Sequence, residues 1–290
     1  MNDFVITTEN TSDLPKDYYS QNGITYMYLP CTIDGVVYNK ENEMPSGEFY
    51  EKMRGGSMPT TSQINPNDAK TEFSRILDEG KGILHIAFSS GLSGSYNSAR
   101  IAAEEIREER PEARIAVVDT LAASMGEGML VYKAVQMQKA GKSLEETAEW
   151  LEANKLHLCH MFTVDDLNHL YRGGRVSKAA AVLGTMINIK PVLHVDNEGH
   201  LIPLGKVRGR KKSLVTLVSM MEERVGSYRD KNDIIMISHG DCLEDARQLA
   251  ALLDAHGVRS DIRYIGTVIG SHTGPGVLTA FFFGGDRKPE

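Results

Sequence analysis

Apolar strand-like runs alternate with helix-length segments through the N-terminal half, and this alternation constrains the fold more than any other feature. Residues 82–88 (GILHIAF) predict a buried strand, a long helix follows to about Arg110, and residues 114–119 predict the next strand. Strands separated by helices of about 10–15 residues form βαβ units, in which the strands are parallel. We therefore predict a mostly parallel sheet flanked by helices for this half.

The pattern changes from about Leu156. Residues 189–195 and 201–207 predict two strands around Asn197-Glu198-Gly199, which is a hairpin signal. Helix-like and strand-like segments then alternate again as far as residues 277–283. A hairpin followed by helix–strand pairs predicts a mixed sheet with helices on it. The expected fold class is α/β with two closely packed domains, residues 1–156 and residues 157–290.

Charge and composition exclude several classes of protein. The 290 residues include 32 Lys and Arg against 39 Asp and Glu, for a net charge of −7, whereas a nucleic-acid binder needs a strongly basic face. No run of about 18 apolar residues occurs, and the first residues lack the apolar core of a secretion signal, so we expect no stable membrane insertion. Three widely spaced cysteines without a CxxC pair fit a reduced compartment, and we predict a cytoplasmic protein.

The segment from Ser89 to Ser95 (SSGLSGS) lies between a predicted buried strand and a predicted helix. That position is the carboxyl edge of a parallel sheet, where open α/β folds bind ligands. Small residues let a ligand approach the backbone, and the free N–H groups at the start of the helix suit a carboxylate or a phosphate. The segment is either an anion site, with the Ser93 hydroxyl as a further donor, or a tight turn that needs its glycines.

Ser93 is also a candidate nucleophile, which would make the chain a stand-alone serine hydrolase or acyltransferase. His272 or His239 would be the base, and Asp119 would orient that base. The nucleophile elbow of such hydrolases requires G-x-S-x-G, and residues 91–95 (GLSGS) lack the last glycine. The enzyme hypothesis is therefore kept as the alternative to the anion site.

A second glycine-rich segment, Ile265 to Gly276 (IGTVIGSHTGPG), predicts the end of a strand followed by a loop that carries His272 and Thr273. The Gly-Pro-Gly sequence makes this loop stiff at one point and permissive on either side. His272 is either placed there for a function or is an ordinary turn histidine. No phosphate-binding P-loop pattern occurs in the chain, so we do not expect it to bind ATP.

Two basic clusters interrupt this acidic sequence. Their members are Arg172, Arg175 and Lys178 in the first, and Lys206, Arg208, Arg210, Lys211 and Lys212 in the second. Clustered positive charge suits a phosphate or an acidic partner, and the alternative is a solvated helix face.

Metal binding is poorly supported by the sequence. His157, Cys159 and His160 are adjacent, but strand alternation sends His160 to the opposite face from the other two. Neither an HExxH motif nor paired CxxC motifs occur, so we expect no metal and no cofactor. The methionines of residues 125–137 favour a core helix, although flexible methionines also suit a lipid-shaped cavity.

Short motifs in a fixed order along nearly the whole chain identify a family. They are TSDL (11–14), TSQ (61–63), SSGLSGSY (89–96), DT (119–120), TVDDL (163–167), RGGR (172–175), KP (190–191), RG (208–209), KK (211–212) and IGSHTGPG (269–276). On these motifs the chain resembles the DegV family of bacterial fatty-acid-binding proteins. It departs from the family pattern at Glu9-Asn10, where Asp-Ser is usual, at Ile64, where proline is common, and at Ser95, where threonine is frequent.

The resemblance implies a two-domain α/β protein that buries one long-chain, palmitate-like fatty acid. It further implies the non-ATP-binding, FakB-type subunit of a fatty acid kinase system. Such a subunit presents the bound acid to a separate ATP-dependent kinase, and the acyl-phosphate product feeds phospholipid synthesis. The third hypothesis, a sensor or structural module whose basic clusters contact another protein, is left open beside the carrier and the hydrolase.

The same motifs carry site residues over to this chain. Thr61 and Ser93 would hold the carboxyl group. The ligand-binding residues implied by the resemblance are Thr61, Ser62, Ser93, Gly94, His272 and Thr273. The implied transfer-assisting residues, which would face the kinase or the transferring phosphate, are His272, Arg172, Arg175 and Arg208.

Simple energetics agree with a buried fatty acid. Burying about fourteen methylenes at about 0.8 kcal/mol each gives roughly 11 kcal/mol before the costs of binding. A buried carboxylate is costly unless hydrogen-bond donors replace its lost hydration. Thr61, Ser93 and the amide of Gly94 are donors of this kind, and none of them adds a fixed charge.

Overall fold

The computed structural model describes residues 3–178, 188–285 and 287, and it confirms the α/β fold class. The parallel sheet predicted for the N-terminal half consists of Phe4–Glu9 (β1), Thr25–Met27 (β2), Gly82–Ala87 (β6) and Ile115–Asp119 (β7). The strand order is β2-β1-β6-β7, and every neighbouring pair is parallel. The run at β6 is buried at every residue, as expected for an inner strand that helices cover on both faces.

A small antiparallel sheet, which the sequence predicts only in part, consists of Cys31–Ile33 (β3), Val36–Tyr38 (β4) and Thr60–Thr61 (β5). The sequence from Ile24 to Ile33 predicts a single strand, and this prediction is wrong, because β2 ends at Met27 and β3 begins a new sheet. Pro30 lies in the break, where its missing N–H costs no ladder hydrogen bond. Residues 58–63 (MPTTSQ) read as a polar loop in the sequence, but Thr60 and Thr61 form β5.

The mixed sheet predicted for the C-terminal half has six strands. They are Leu158–Thr163 (β8), Ile189–Val195 (β9), Leu201–Arg208 (β10), Ile235–His239 (β11), Ser260–Tyr264 (β12) and Leu278–Phe283 (β13). The order is β10-β9-β8-β13-β11-β12, and only the β11–β12 pair is parallel. The predicted hairpin at residues 197–199 joins β9 to β10.

Ten α-helices lie in the described residues. They are Lys16–Gln21 (α1), Ser46–Arg54 (α2), Pro66–Asp78 (α3), Ser95–Glu109 (α4), Met125–Lys139 (α5), Leu144–Asn154 (α6), Asn168–Arg172 (α7), Arg210–Val225 (α8), Leu243–Asp254 (α9) and Thr267–Thr273 (α10). Short 3₁₀ helices occupy residues 10–12, 155–157 and 226–231. Ser143 and Glu146 have the spacing of a capping box, and the structure confirms it at the start of α6, where each side chain accepts from the other residue's N–H.

The largest hydrophobic core is shared by both halves of the chain. Phe4 and Ile86 from the parallel sheet belong to the same buried cluster as Met236 and Phe281 from the six-stranded sheet. The strands of the parallel sheet all precede residue 156, and the strands of the six-stranded sheet all follow it. We keep the division of the chain near residue 156 as a proposal. Within the described residues, no helix combines the length and the apolar character that crossing a bilayer requires.

Arg287, near the C-terminus, is fully buried between the two halves. Its guanidinium donates to the carbonyl oxygens of Leu158 (2.7 Å), Leu121 (2.6 Å), Lys155 (2.7 Å) and Asp196 (3.2 Å). Burial lowers the pKa of Arg287 to about 10, which leaves the side chain charged near pH 7. One side chain therefore ties the loop after β7, the start of β8 and the β9–β10 hairpin together.

Candidate functional site

An interior cavity lies between the carboxyl edge of the parallel sheet and one face of the six-stranded sheet. The space open to the centre of a water-sized sphere is about 210 Å³. The walls are mainly apolar and include Phe88, Leu92, Phe162, Val268, Val277 and Phe281. Because both sheets contribute walls, the cavity forms only when the two halves pack together.

The serine-rich segment follows β6 at the carboxyl edge of the sheet, as predicted. The Ser93 hydroxyl accepts from the N–H of Ser95 at 3.2 Å and lies 3.0 Å from the Ser95 hydroxyl. The Ser95 hydroxyl in turn accepts from the N–H of Ile64 at 3.2 Å. A Cβ atom on Gly94 would overlap the Gln63 amide, so only glycine allows this approach without a shift. These contacts bring the predicted motifs 61–63 and 93–95 side by side.

Thr61 and His272 are hydrogen-bonded, with 2.8 Å between the Thr61 hydroxyl and Nε2 of His272. The predicted loop around His272 is wrong, because His272 and Thr273 are the last two residues of α10. Nδ1 of His272 has no hydrogen-bond partner among the described residues, and a Cβ on Gly173 would overlap this atom. Burial, with a smaller contribution from positive Arg175, lowers the pKa of His272 to about 4, so the imidazole is neutral near pH 7.

Arg175 joins two segments at the part of the cavity that Thr61, Ser93 and His272 line, which we call the polar end. Its Nε and Nη2 donate to the carbonyl oxygen of Leu92 at 3.0 and 2.8 Å, and Nη1 donates to the carbonyl oxygen of Gly173. Burial lowers the pKa of Arg175 from its usual value. The guanidinium therefore fixes the loop before α4 against the segment that follows α7.

A surface cleft of about 350 Å³ adjoins this polar end. Thr61, Arg175 and His272 line both the cavity and the cleft, so these three side chains form the wall between them. Arg172 also lines the cleft, where its Nη2 lies 2.7 Å from Nδ1 of His169 and its Nη1 lies 2.8 Å from the Met58 sulfur.

The structure brings most of the predicted site residues together. The cavity is lined by all six predicted ligand-binding residues, Thr61, Ser62, Ser93, Gly94, His272 and Thr273. Their contact with a ligand stays a prediction. Arg208 is the exception among the transfer-assisting residues, because it is exposed at the end of β10 and lines neither the cavity nor the cleft.

Sequence reasoning missed three polar residues that line the cavity, Ser124, His160 and Thr279. The argument from strand alternation does not apply to His157, which ends the 3₁₀ helix before β8 and whose Nδ1 lies within hydrogen-bond distance of the carbonyl oxygens of Gly284 and Gly285. Nothing in the sequence indicates that the His160 face covers a cavity. Ser124 has an unusual backbone conformation, with a φ of 55° and a ψ of −144°. The sequence alone does not reveal this conformation.

Asp13 holds two walls of the cavity in place. It accepts from the Ser124 hydroxyl at 2.5 Å and from the N–H of Gly266 at 2.9 Å, which stand just before α5 and α10. Burial raises the pKa of Asp13 to about 7, although both hydrogen bonds oppose the shift. The TSDL motif thus positions the helix that carries His272.

The hydrolase hypothesis finds no support in this arrangement. His272 is bonded to Thr61, and Ser93 is bonded to Ser95, with no hydrogen bond between Ser93 and a histidine in the described part of the chain. Asp119 accepts from the backbone N–H groups of Ser90 and Leu121 at 3.1 Å and orients no histidine. The parts of a catalytic triad are therefore present in the sequence but separate in the fold.

Comparisons with known proteins show the family of the chain. A family model described as an uncharacterised protein of the DegV family matches residues 3–284. A DegV domain-containing protein of Clostridium perfringens is 46% identical over 293 residues, which cover 100% of both chains.

Two solved structures share the fold along nearly the whole chain. The first is described as showing fatty acid binding by a DegV family protein from Thermus thermophilus. It has 32% identity and a TM-score of 0.86, over 97% of this chain and 99% of that one. The second, a stearic acid-binding protein from Eubacterium ventriosum, has 25% identity and a TM-score of 0.86, over 96% of this chain and 98% of that one.

Proposed function

The chain belongs to the DegV family, and from this premise we propose that it binds one long-chain fatty acid in its interior cavity. The tail would lie between the apolar walls, and the carboxyl group would lie at the end formed by Thr61, Ser93 and His272. The single observation that carries the proposal is the lining of the cavity, which is mainly apolar and also includes the Ser93 hydroxyl and the hydrogen-bonded pair of Thr61 and the neutral His272 imidazole.

The polar end suits a carboxylate. Hydroxyl groups donate strong hydrogen bonds to an ionised acceptor, which offsets part of its lost hydration. The Thr61 and Ser93 hydroxyls can each turn their single O–H toward the ligand, since Thr61 can accept from Nε2 of His272 and Ser93 can accept from the Ser95 hydroxyl. Arg175 adds positive charge close by, while most of its N–H groups remain engaged by backbone carbonyls.

The thin wall between cavity and cleft supports a role in a fatty acid kinase system. We propose that a separate kinase docks over the cleft and phosphorylates the bound acid from outside. A carboxylate oxygen attacks the γ-phosphorus of ATP on the kinase, the bond from that phosphorus to the β–γ bridging oxygen breaks, and ADP leaves with the electron pair. The acyl-phosphate stays in this chain until it enters phospholipid synthesis, and the ATP requirement places the system in the cytoplasm.

A direct test is organic extraction of the full chain purified from a bacterial host. We expect about one fatty acid per protein by mass spectrometry, and the same 1:1 complex in native spectra. Added palmitic acid should refill the chain after extraction. A chain that yields no lipid and takes up no palmitic acid would overturn the proposal.

Arg172 provides a test of the kinase role. Arg172→Ala removes the exposed positive charge of the cleft and leaves the cavity wall intact, so lipid loading should stay normal. We expect acyl-phosphate formation by the cognate kinase, trapped as the hydroxamate, to fall at least tenfold in kcat/KM. Arg208→Ala is the matched control, because Arg208 lies outside both cavity and cleft. Equal turnover of the two variants would contradict the assignment of the cleft.

A further inference from the structure

Two buried carboxyl groups lie close together beside the cavity, and the proposed function uses neither of them. Glu9 ends β1 and Glu127 lies in the first turn of α5, and both are 0% exposed. The Thr11 hydroxyl joins them, at 2.8 Å from Oε2 of Glu127 and 3.4 Å from Oε2 of Glu9. In the residues that the structure describes, no lysine or arginine forms an ion pair with either carboxyl group.

The hydrogen bonds around this pair require a proton on one of the two carboxyl groups. The Thr8 hydroxyl lies 2.9 Å from two acceptors, the carbonyl oxygen of Ile86 and Oε1 of Glu127, and its single O–H can donate to only one of them. A proton on Oε1 of Glu127 satisfies both contacts, because Glu127 then donates to Thr8 while Thr8 donates to Ile86. Two ionised carboxylates this close in a buried place would also repel each other strongly. The pair therefore holds one proton.

Glu9 has the surroundings of the ionised partner. Its Oε2 accepts from the N–H of Phe88 at 3.1 Å. Its Oε1 lies 3.4 Å from Nε2 of His85, and neither of these two atoms has a hydrogen-bond partner among the described residues. His85 is 0% exposed, and the Thr7 hydroxyl can donate to its Nδ1 at 2.9 Å, which leaves the proton of a neutral ring on Nε2. The neighbours of Glu9 thus direct N–H groups at it, as an ionised carboxylate requires.

Both carboxyl groups hold segments that line the cavity. Phe88, whose N–H bonds to Glu9, lines the cavity and directly precedes the serine-rich segment. Ala123 and Ser124 line the cavity just before α5, and Glu127 is the third residue of that helix. The contacts of Glu127 with Thr8 and Thr11 join the start of α5 to the end of β1 and the turn after it. A second negative charge on the pair would push these segments apart and disturb both walls.

The other titratable groups near Glu127 agree with a neutral acid at this position. Burial, with negative Glu9 as the second cause, raises the pKa of Glu127 well above its usual value, so the folded chain favours the protonated form. The four acids of α6, which packs against α5, are all exposed. The remaining titratable groups on elements around the start of α5 include no lysine or arginine, and they are Asp13, Tyr19 on α1, His85 on β6, His160 on β8 and His239 on β11.

We propose that Glu9 and Glu127 share one proton, carried by Glu127, and that this proton positions the serine-rich segment and the start of α5 for fatty-acid binding. The proposal rests on the proposed function and deepens it, because Glu127 becomes a positioning residue of the same site. As the pH rises, loss of the proton would leave two adjacent negative charges. Release of the fatty acid should then become faster at alkaline pH.

Infrared difference spectroscopy of the full chain tests where the proton lies. A protonated carboxyl group has a C=O stretch above the amide I band, and this stretch shifts in D₂O. Near neutral pH we expect one such band that Glu127→Gln removes, whereas Glu9→Gln and the matched control Glu149→Gln, on the exposed side of α6, retain it. If Glu127→Gln does not fold, Thr8→Val should shift the band, because Glu127 loses the acceptor of its proton. A band that only Glu9→Gln removes, or no band at all, would overturn the assignment.

The rate of fatty-acid release tests the link to the cavity. Chains loaded with a fluorescent fatty acid are compared at neutral and at mildly alkaline pH. We expect release to accelerate by about tenfold or more in the wild type and in Glu149→Gln, and by about threefold or less in Glu127→Gln, whose amide keeps a donor but cannot ionise. Titration of Asp13 and of the fatty acid itself occurs in all three proteins and does not distinguish them.

Equal acceleration in the wild type and in Glu127→Gln would overturn the link. So would an infrared band that disappears with rising pH while the release rate stays constant. Either result would leave the proposed function standing. A chain that binds no fatty acid at any pH would overturn the proposed function and the link together, and the infrared band would still show which carboxyl group holds the proton.

Discussion

Replacement of both Thr61 and Ser93 by alanine is expected to empty the cavity of fatty acid without unfolding the protein. A hydrogen bond to a charged acceptor contributes about 1.5–3 kcal/mol, so the loss of two weakens binding by about 3–6 kcal/mol. At about 1.4 kcal/mol per factor of ten, Kd rises by roughly 10² to 10⁴. Neither residue is fully buried, and the contacts that each loses are confined to the polar end, so the core stays packed.

Quantitative lipid extraction and titration with a fluorescent fatty acid give the two readouts. The matched control is Thr71→Ala with Ser219→Ala, which makes the same kinds of change on exposed helix positions. Unfolding in urea should be unchanged in the lipid-free forms of all three proteins. Lipid content that stays at one fatty acid per chain in the Thr61/Ser93 variant would show that the carboxyl group binds elsewhere.

Replacement of Arg287 by methionine is expected to lower the free energy of unfolding by about 3 kcal/mol. Methionine fills a similar volume, but four backbone carbonyl oxygens lose their donor, and a buried acceptor left unpaired costs about 1–3 kcal/mol. Recovery of the desolvation cost of the buried charge offsets part of this loss. Arg287→Lys should not restore stability, because an ammonium cannot reproduce the planar fork of donors.

Urea denaturation of the full chain measures the effect of Arg287. The control is Arg247→Met, which alters an arginine whose side chain is 63% exposed. The control should change the free energy of unfolding by less than about 0.5 kcal/mol. A similarly small change for Arg287→Met would mean that water or neighbouring groups satisfy the four carbonyls as well as the guanidinium does.

Much of the fold follows from local patterns in the sequence. The apolar run at residues 82–87 and the helix after it indicate a parallel βαβ unit, and Asn197-Glu198-Gly199 indicates the hairpin. The predictions of secondary structure fail where tertiary contacts determine the conformation. Pro30 divides a continuous apolar run between two sheets, and β5 exists only because Thr60 and Thr61 pair with β3. Residues 267–273, inside the glycine-rich segment 265–276, form a helix that contains only one glycine and buries five of its seven residues.

The candidate site shows the same division. The polar end is predictable because hydroxyls and glycines in turns at a sheet edge have a chemical signature of their own. The cavity-lining positions of His160 and Thr279 are not predictable from the sequence, since both residues lie on strands whose inward face is fixed only when the two sheets pack together. Arg208 comes from the family resemblance and lines neither the cavity nor the cleft, so its role in transfer stays a prediction.

The walls of the cavity come from both sheets, so on the proposed function a bound fatty acid would pack against both halves of the chain. A tail lying there completes the packing that the side chains leave unfinished, so occupancy and folding free energy are linked. Removal of the ligand would then weaken the packing between the two halves of the chain. On the proposed function, we expect the thermal stability of a preparation to rise with the fraction of chains that hold a fatty acid, and the chain to open more easily after the acyl group has been removed.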